Sequence, residues 1–540
     1  MSGMTIRITK FGGIAPRIMP HNLARQMGVV AENVDLSRGS LMPFRKPRKL
    51  SSKTGGYLFK TCCEIVSPNC NAQVVDMQIN CGLFASTNVA PWPALATEAE
   101  ACAGNWTRLG FPCPIAAPTA TPTAPPRPFE YTDSSRQIRS YKIRLVNKFG
   151  HKSEPSAESN FIETNSTVPV NLTLPTAFPV EYGITKVQIY ASEQSPDISG
   201  KSGFSGFFYI GEVAAGTAGF TDNRDFLGEE LDSDEHNQPP ADLRHIQYWQ
   251  TGELAGLSGK QIVFSIKNHP HAWPFSLRHT VHAYPKAFLI GQGIGYVATD
   301  GRPAIIKPTP CNMTGCHTVV EHDDSHPIAS VRSMVIHNEH AIWATQDGLL
   351  MISPGRQTVL LTQQYFTQGQ WREIAPETMV SAVHDGCYYG FTDKIGFRLR
   401  IPDQTYDKQS DIDLVTIDLG SKPRALYRSN LDELYLLMDD GVYWWNEGDS
   451  YLKLRWKSSE LDNAAWVAFS AFKVQGDFEP SEIRHWCDNE LVDTDIAENN
   501  KPIRINTHSG LSWQFEIQTT GEVSAYSLST SVRNLSTGQA

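Results

Sequence analysis

AIWATQDGLLMI, Ala341 to Ile352, decides the reading of this chain. Two short apolar runs flank an Asp-Gly pair, and each run is rich in large or branched side chains. Asp-Gly between apolar runs is a strong hairpin signal, because a type I′ turn needs φ > 0 and these residues tolerate it. Tyr296 to Ile305 (YVATDGRPAI) and Glu433 to Trp444 (ELYLLMDDGVYW) repeat the pattern, and Cys387 to Leu399 (CYYGFTDKIGFRL) is a weaker copy. A spacing of roughly 45 to 50 residues is the period of propeller blades. Residues 243–473 are therefore expected to form a β-propeller-like domain.

Working outward, other short strands dominate. Ser140 to Val146, Val170 to Leu174, Ile184 to Tyr190, Phe207 to Val213 and Ala218 to Thr221 predict a β-sandwich over 128–242. Ile503 to Asn506, Ser512 to Gln518 and Glu522 to Leu528 predict a C-terminal β segment over 474–540 that completes the propeller or makes ring contacts. Its Ser/Thr/Gly-rich end is expected to fray or to pair with another chain. Residues 1–127 read as an irregular N-terminal region. Helix-period patterns are confined to Asn22 to Val34 and Leu95 to Ala103. The proline-rich stretch Pro112 to Pro128 reads as an extended linker or strap. The fold class expected is mainly β.

Composition sets further limits. The 540 residues carry 47 Lys+Arg and 57 Asp+Glu, a formal charge of −10. This balance argues against a protein that wraps nucleic acid through a basic surface. No apolar run reaches the ~18 residues of a membrane-spanning helix, and Met1 to Lys10 lacks an apolar signal-peptide core. Synthesis in a reducing cytoplasm is the expectation, which favours Cys62, Cys63, Cys70, Cys81, Cys102 and Cys113 as buried thiols over disulfides that lock the part after release.

Candidate chemistry is sparse. Cys311, Cys316, His317 and His322 are zinc-ligand types, but C-x4-C-H is not a standard spacing. His269, His271, His279 and His282 surround Trp273-Pro274 in a proline-rigid loop, where a packed loop competes with a pH sensor. Gly291 to Gly295 has no helix after it and reads as a β-turn. The acidic stretch Asp222 to Glu235 reads as a solvated face, with Ca²⁺ binding or glycoside cleavage as the sharper options. The basic run Arg45 to Lys53 can face phosphate or an acidic neighbour, and Arg398 and Arg400 share that ambiguity. Trp444-Trp445 can stack on sugar or fill a core. The motifs G-x-S-x-G, H-E-x-x-H and G-x-x-x-x-G-K-[ST] are missing. No catalytic, cofactor or metal residue is assigned, and no enzyme activity is expected.

Several segments, in order, resemble one family. Phe11 to Pro47 carries F-G-G-x-x-P and then A-x-N-V-x-L-x-x-G-x-L-x-P. Leu254 to Pro274 carries S-G-K, F-S and H-A-W-P elements, and Ser330 to Ile352 is followed by LTQQYFTQGQW, Leu361 to Trp371. Tyr141 to Pro240 resembles a fibronectin-like insert, including Thr221-Asp222 and Leu227-Gly228-Glu229. Together they resemble the nozzle, or tail tubular protein B, of short-tailed bacteriophages and related prophage tail proteins. The resemblance spans Phe11 to about Asp393; Tyr57 to Ala117 departs from it.

The resemblance implies a structural virion protein of the tail, made in the host cytoplasm. It would be a homohexamer forming the distal DNA-ejection channel and its gate. Its partners would be the tail adaptor ring, tail fibres or spikes and transiently passing genomic DNA, with host-surface contact and without stable membrane insertion. Six copies would carry about −60, and like charge along a channel discourages DNA from adhering. The competing reading is a receptor-binding tail-tip protein that recognises host glycan or protein. A polysaccharide depolymerase would call for long Gly/Asn β-helix repeats, which the sequence lacks.

Overall fold

The computed structural model describes residues 4–77, 83–113, 115–124, 136–165, 168–194, 206–223, 228–231, 236–249, 251–309, 317–402, 413–477, 479–506 and 508–536. The protein is mainly β, with few and short helices. None of the described helices is long and apolar enough to cross a membrane. The chain divides into two units. The first is Met1–Asn71 with Ile294–Ile305 and Val320–Ala540, and the second is Ala72–Gly293 with Ile306–Val319. Boundaries drawn along the sequence at 127/128, 242/243 and 473/474 do not coincide with this division, because strands far apart in the chain pair.

The first unit shows this directly. Its largest sheet has ten strands. Val380–His384, Cys387–Phe391, Gly396–Arg400 and Leu414–Ile417 run in meander order. Gly28–Glu32 follows, then Leu454–Ser458, Gly510–Thr519, Ser481–Cys487 and Glu490–Ala497, while Leu461–Val467 pairs with Gly510–Thr519. Gly28–Glu32 thus joins two halves, parallel to Leu414–Ile417 and antiparallel to Leu454–Ser458. A helix is expected over Asn22 to Val34; instead a 3₁₀ turn at Pro20–Asn22 leads into this strand. Val29 and Val30 suit a strand, and Ala31 and Val34 are fully buried in it and beyond it. Gly28 is required by proximity: a Cβ there would lie 2.9 Å from Trp456 Nε1 and 2.7 Å from the Val30 carbonyl oxygen.

Two four-stranded antiparallel meanders of the kind that builds propeller blades belong to this unit. One is Val335–His337, His340–Ala344, Leu349–Ile352 and Thr358–Leu360. The other is Ala425–Arg428, Leu434–Met438, Gly441–Trp444 and, closing its edge, Arg48–Ser51 from the N-terminal stretch. Thr5–Ile8 likewise pairs with Glu522–Ser529. The N-terminal stretch to Asn71, expected to be irregular, therefore supplies strands to several sheets. The C-terminal end does not fray as expected before Ser536: Tyr526, Leu528, Ser529 and Leu535 are buried.

The hairpins at 296–305, 341–352 and 433–444 form, but not through type I′ Asp-Gly turns. Neither Asp347 nor Asp440 adopts positive φ. Threonines close several of these loops instead. Thr345 Oγ1 donates to the Gly348 carbonyl at 2.9 Å and accepts from Asp347 N at 3.2 Å, and Thr299 and Thr392 make the same kind of bonds in their own loops. Consecutive left-handed residues occur at Asp385-Gly386 and Asp488-Asn489.

The second unit contains a sandwich. Thr119–Pro122, Val170–Thr173 and Gly219–Asp222 form one sheet; Ile162–Asn165, Arg136–Asn147, Ile184–Gln194 and Phe208–Ala214 form the other. Their common core holds Tyr141, Ile143, Leu145, Leu172, Val187 and Ile189. Phe111, Ile115 and Ala120 also belong to this core. The proline-rich stretch is thus a strap rather than a free linker, and Pro122 sits on an edge strand where its missing donor costs no ladder bond. Leu95–Ala103 resolves into a strand, Ala94–Thr97, and a capped helix, Glu98–Ala103. Arg244–Trp249, Glu253–Ser258, Gln261–Phe264 and Arg278–Thr280 make a further four-stranded meander.

A serine ladder covers one edge of the long strand Arg136–Asn147. Ser153, Ser156 and Ser159 donate their N–H groups to the carbonyls of Leu145, Ile143 and Tyr141 at 2.9, 2.8 and 2.8 Å. Their hydroxyls accept from the N–H groups of the same three residues at 2.9, 3.0 and 2.9 Å. The three-residue period of S-E-P-S-A-E-S thereby matches the two-residue period of a strand.

Candidate functional site

The zinc candidates separate. Cys311 and Cys316 lie outside the described residues. His317 belongs to the second unit and His322 to the first. His317 Nε2 sits 3.4 Å from Glu253 Oε2, with both side chains buried. Its ring stacks on Phe264 at 4.1 Å and meets Trp249 at 4.9 Å. A pair so enclosed has no approach for substrate and serves packing.

The cysteines depart from the expectation of buried thiols. Cys62, Cys70 and Cys113 are exposed thiols outside any disulfide, and Cys63 and Cys102 are disulfide-bonded. Cys81 lies outside the described residues. The Cys113 thiol donates to Glu154 Oε1 at 2.9 Å. That bond and partial burial push its pKa up to about 11, away from the range of a reactive thiolate.

The His-rich loop is part of a larger cluster. His271 stacks on His151 at 4.6 Å and meets His236 at 5.2 Å and His269 at 5.7 Å. The buried Arg144 donates to the Ser153 carbonyl at 2.6 Å, and its Nη2 lies 2.8 Å from His236 Nδ1. Burial holds His151 down to about 4 and His271 well below its ordinary value. Only His269 and His271 of this cluster stand out in the sequence; His151 and His236 lie more than thirty residues away. His279 belongs to the neighbouring strand against Phe264.

Of the other candidates, Asp222 is buried, accepting from Tyr141 Oη at 2.9 Å and lying 3.7 Å from Arg139. It ties the two sandwich sheets together and is not part of a solvated face. Residues 224–227 and 232–235 of the acidic stretch lie outside the described residues. Gln292 and Gly293 both have positive φ, as a turn requires. Trp445 is buried against Phe44 and Tyr389, which removes it from sugar stacking. Trp444 is half-buried on Tyr435.

Arg398 and Arg400 part company. Arg398 is buried and binds both oxygens of Asp413 at 2.9 and 2.8 Å and Asp35 Oδ1 at 2.8 Å. Burial opposes its charge, yet these carboxylates hold its pKa above the ordinary value. It cannot reach DNA. Arg400 is exposed and lines a cavity of about 470 Å³ with Lys10, Arg38, Ser37 and Asp413. Asp413 is committed to Arg398, and Lys10, Arg38 and Arg400 line the rest of the charged wall.

The basic run Arg45 to Lys53 forms the edge strand Arg48–Ser51. Arg48 lies over the Trp444 ring at 4.8 Å and Arg45 over Tyr451 at 5.3 Å. Lys49 Nζ is 2.7 Å from Asp440, and Lys53 Nζ donates to the Glu64 carbonyl at 2.7 Å. Aromatic faces hold the guanidinium groups while leaving donors toward solvent. This strand and the cavity are surfaces that can take an anionic partner; neither supplies a nucleophile or a paired acid and base.

The sequence matches no family model and no curated relative. Solved structures that resemble the chain include propellers. The AfRom2 CNH domain matches at 10% identity over 64% of this chain and 94% of that one, with a TM-score of 0.24. The Pan2 WD40 domain of Neurospora crassa matches at 6% over 54% and 86%, with a TM-score of 0.26. The WD40 β-propeller domain of Doa1 matches at 8% over 49% and 90%, with a TM-score of 0.21. Scores this low carry no inference, and the fold rests on the sheets described above.

Proposed function

We propose that this chain is a structural subunit of the tail nozzle of a short-tailed phage or related prophage, without catalytic activity. One observation carries the reading: the ordered run of motifs from Phe11 to about Asp393. Two of those motifs touch. Arg17 N donates to the Tyr365 carbonyl at 2.8 Å, and Gln370 Nε2 donates to the Pro16 carbonyl at 2.9 Å. Phe11 packs edge-on against Trp456 at 5.1 Å, whose indole N–H donates to the Gly12 carbonyl at 3.0 Å. The H-A-W-P element is likewise architectural, since Trp273 is buried and donates to the Pro270 carbonyl at 2.8 Å. Such residues hold a scaffold together, which suits a subunit whose work is mechanical.

In this reading six copies form a tube in the virion tail, joined to an adaptor ring and bearing fibres or spikes, and genomic DNA passes through. The basic edge strand and the Lys10–Arg38–Arg400 cavity would contact acidic neighbours. Electron microscopy of the purified full-length protein, alone and mixed with its adaptor ring, tests it. A six-fold ring is expected. A monomer that never assembles and locates to side fibres would overturn it.

A further inference from the structure

We propose that His322, Asp324 and His326 form a binding site for one divalent first-row metal ion, of the zinc or cobalt class. One ligand atom from each lies within 4.8 Å of the other two. All three come from one five-residue bend, His322-Asp323-Asp324-Ser325-His326, in the first unit. The bend is anchored at both ends on the neighbouring hairpin. His322 N donates to the Pro303 carbonyl at 2.8 Å and His326 N to the Gly301 carbonyl at 2.9 Å.

The hydrogen bonds already select ligand-competent forms. His322 Nε2 lies 2.9 Å from the Arg356 carbonyl, an acceptor only, so that nitrogen carries the proton. Its Nδ1 is then a lone pair, which accepts from Asp324 N at 3.0 Å. An imidazole that donates one nitrogen to a backbone carbonyl and offers the other is the arrangement metal-binding histidines commonly adopt. His326 Nε2 is buried without a hydrogen-bond partner among the described residues. A buried imidazole nitrogen without a hydrogen-bond partner is open to a metal ion. Asp324 is exposed and free to turn.

Ligands at 2.0–2.1 Å from a tetrahedral ion lie roughly 3.4 Å apart. From separations of up to 4.8 Å the three groups must therefore draw together by up to about 1.4 Å, through side-chain rotation of Asp324 and His326. Two imidazoles and one carboxylate favour zinc, cobalt or nickel over the hard ions calcium and magnesium. The metal would exchange a backbone-to-imidazole hydrogen bond for a cross-link within the bend, whose two ends the Pro303 and Gly301 carbonyls already hold.

The test uses the full-length protein stripped with EDTA. Zn²⁺ binding is followed by calorimetry, and Co²⁺ binding by its visible absorption. His322 carries two hydrogen bonds, so the variants are His326→Ala and Asp324→Ala, each checked for an unchanged metal-free melting temperature. The native protein should bind one more equivalent of Zn²⁺ than His326→Ala. Asp324→Ala should weaken that equivalent about tenfold or more. Equal stoichiometry and affinity in the native protein and both variants would overturn the proposal, placing any bound metal at the cysteines or at the histidines of the second unit. Failure of the native protein to bind Zn²⁺ or Co²⁺ would overturn it equally.

Discussion

The two units bury polar chemistry in different ways. The first unit buries charge in matched sets. Arg398 is held between Asp35 and Asp413, and Glu516 accepts from Arg455 at 2.9 and 3.2 Å. Burial pushes Asp35 and Glu516 up, but the guanidinium groups outweigh it and leave both below the usual carboxylate range. The second unit also buries Arg139 beside Asp222 and His317 beside Glu253, and it adds neutral groups, the serine ladder and a set of strongly buried imidazoles. His245 Nδ1 accepts from Gln73 Nε2 at 3.0 Å, and burial holds its pKa down to about 4. His151 stands at about 4 as well and His271 lower. Among the described residues of the first unit, His485 is a comparable imidazole, at about 4 beside Tyr526. Matched charges resist mild acid; neutral imidazoles do not.

Acid is the strongest way to pull the units apart. An imidazole at about 4 when folded and 6.5 when unfolded binds more protons unfolded between those values. Its contribution is complete above 6.5 and is lost as pH falls toward 4, worth about 3 kcal/mol per group. His151 and His245 together should cost the second unit about 6 kcal/mol over that window, against about 3 for His485 in the first. The lowered carboxylates of the first unit release their stability only below about pH 4. Hydrogen exchange at stepped pH should show the strands of the second unit opening first. His151→Phe should remove about 3 kcal/mol of that acid loss. Simultaneous opening of both units would break the contrast.

Removing one partner of a buried charge set should cost the first unit about 3–5 kcal/mol at neutral pH. Asp413→Asn leaves Arg398 short of its two-oxygen partner while Asp35 remains. Urea unfolding followed by hydrogen exchange in Cys387–Phe391 and Gly396–Arg400 measures it. A loss under 1 kcal/mol would mean the guanidinium finds water instead, and the charge set would not be a source of the first unit's stability.

What could be read in advance follows from where the partners lie. The hairpins at 341–352 and 433–444 are legible because their strands pair with neighbours in sequence. Gly28–Glu32 is not, since its partners stand some 400 residues later and its local spacing imitates a helix. Ile115 and Ala120 sit in the sandwich core although prolines around them suggest a linker, because an edge strand tolerates proline while its alternate residues point inward. Arg398 and Arg400 look alike on one strand; only Asp35, from a distant segment, and Asp413, just before the next strand, make one internal. The histidine cluster hides because two of its members stand apart in the chain. The H-x-D-x-H bend was within reach of the sequence, as three ligand types at every second residue, but His322 draws attention instead to the cysteines before it.

The serine ladder tests the neutral half of the contrast at its smallest scale. Ser156→Ala removes the hydroxyl that accepts from Ile143 N at 3.0 Å while leaving the Ser156 N to Ile143 carbonyl bond available to alanine. Ile143 is fully buried, so its N–H would be left unsatisfied, at a cost of about 1–3 kcal/mol. The hydroxyl also donates to the Ala157 carbonyl at 2.8 Å, and that bond goes too. Neither group titrates, so the loss should be the same at pH 5 and pH 8, unlike that of any histidine variant. Faster exchange at Ile143, with Leu145 and Tyr141 protected by Ser153 and Ser159, would show the rungs acting one by one. A cost that grew as pH fell would mean that the ladder leans on the His151–His271 stack, and neutral hydrogen bonding could not then be treated as a separate source of stability in this unit.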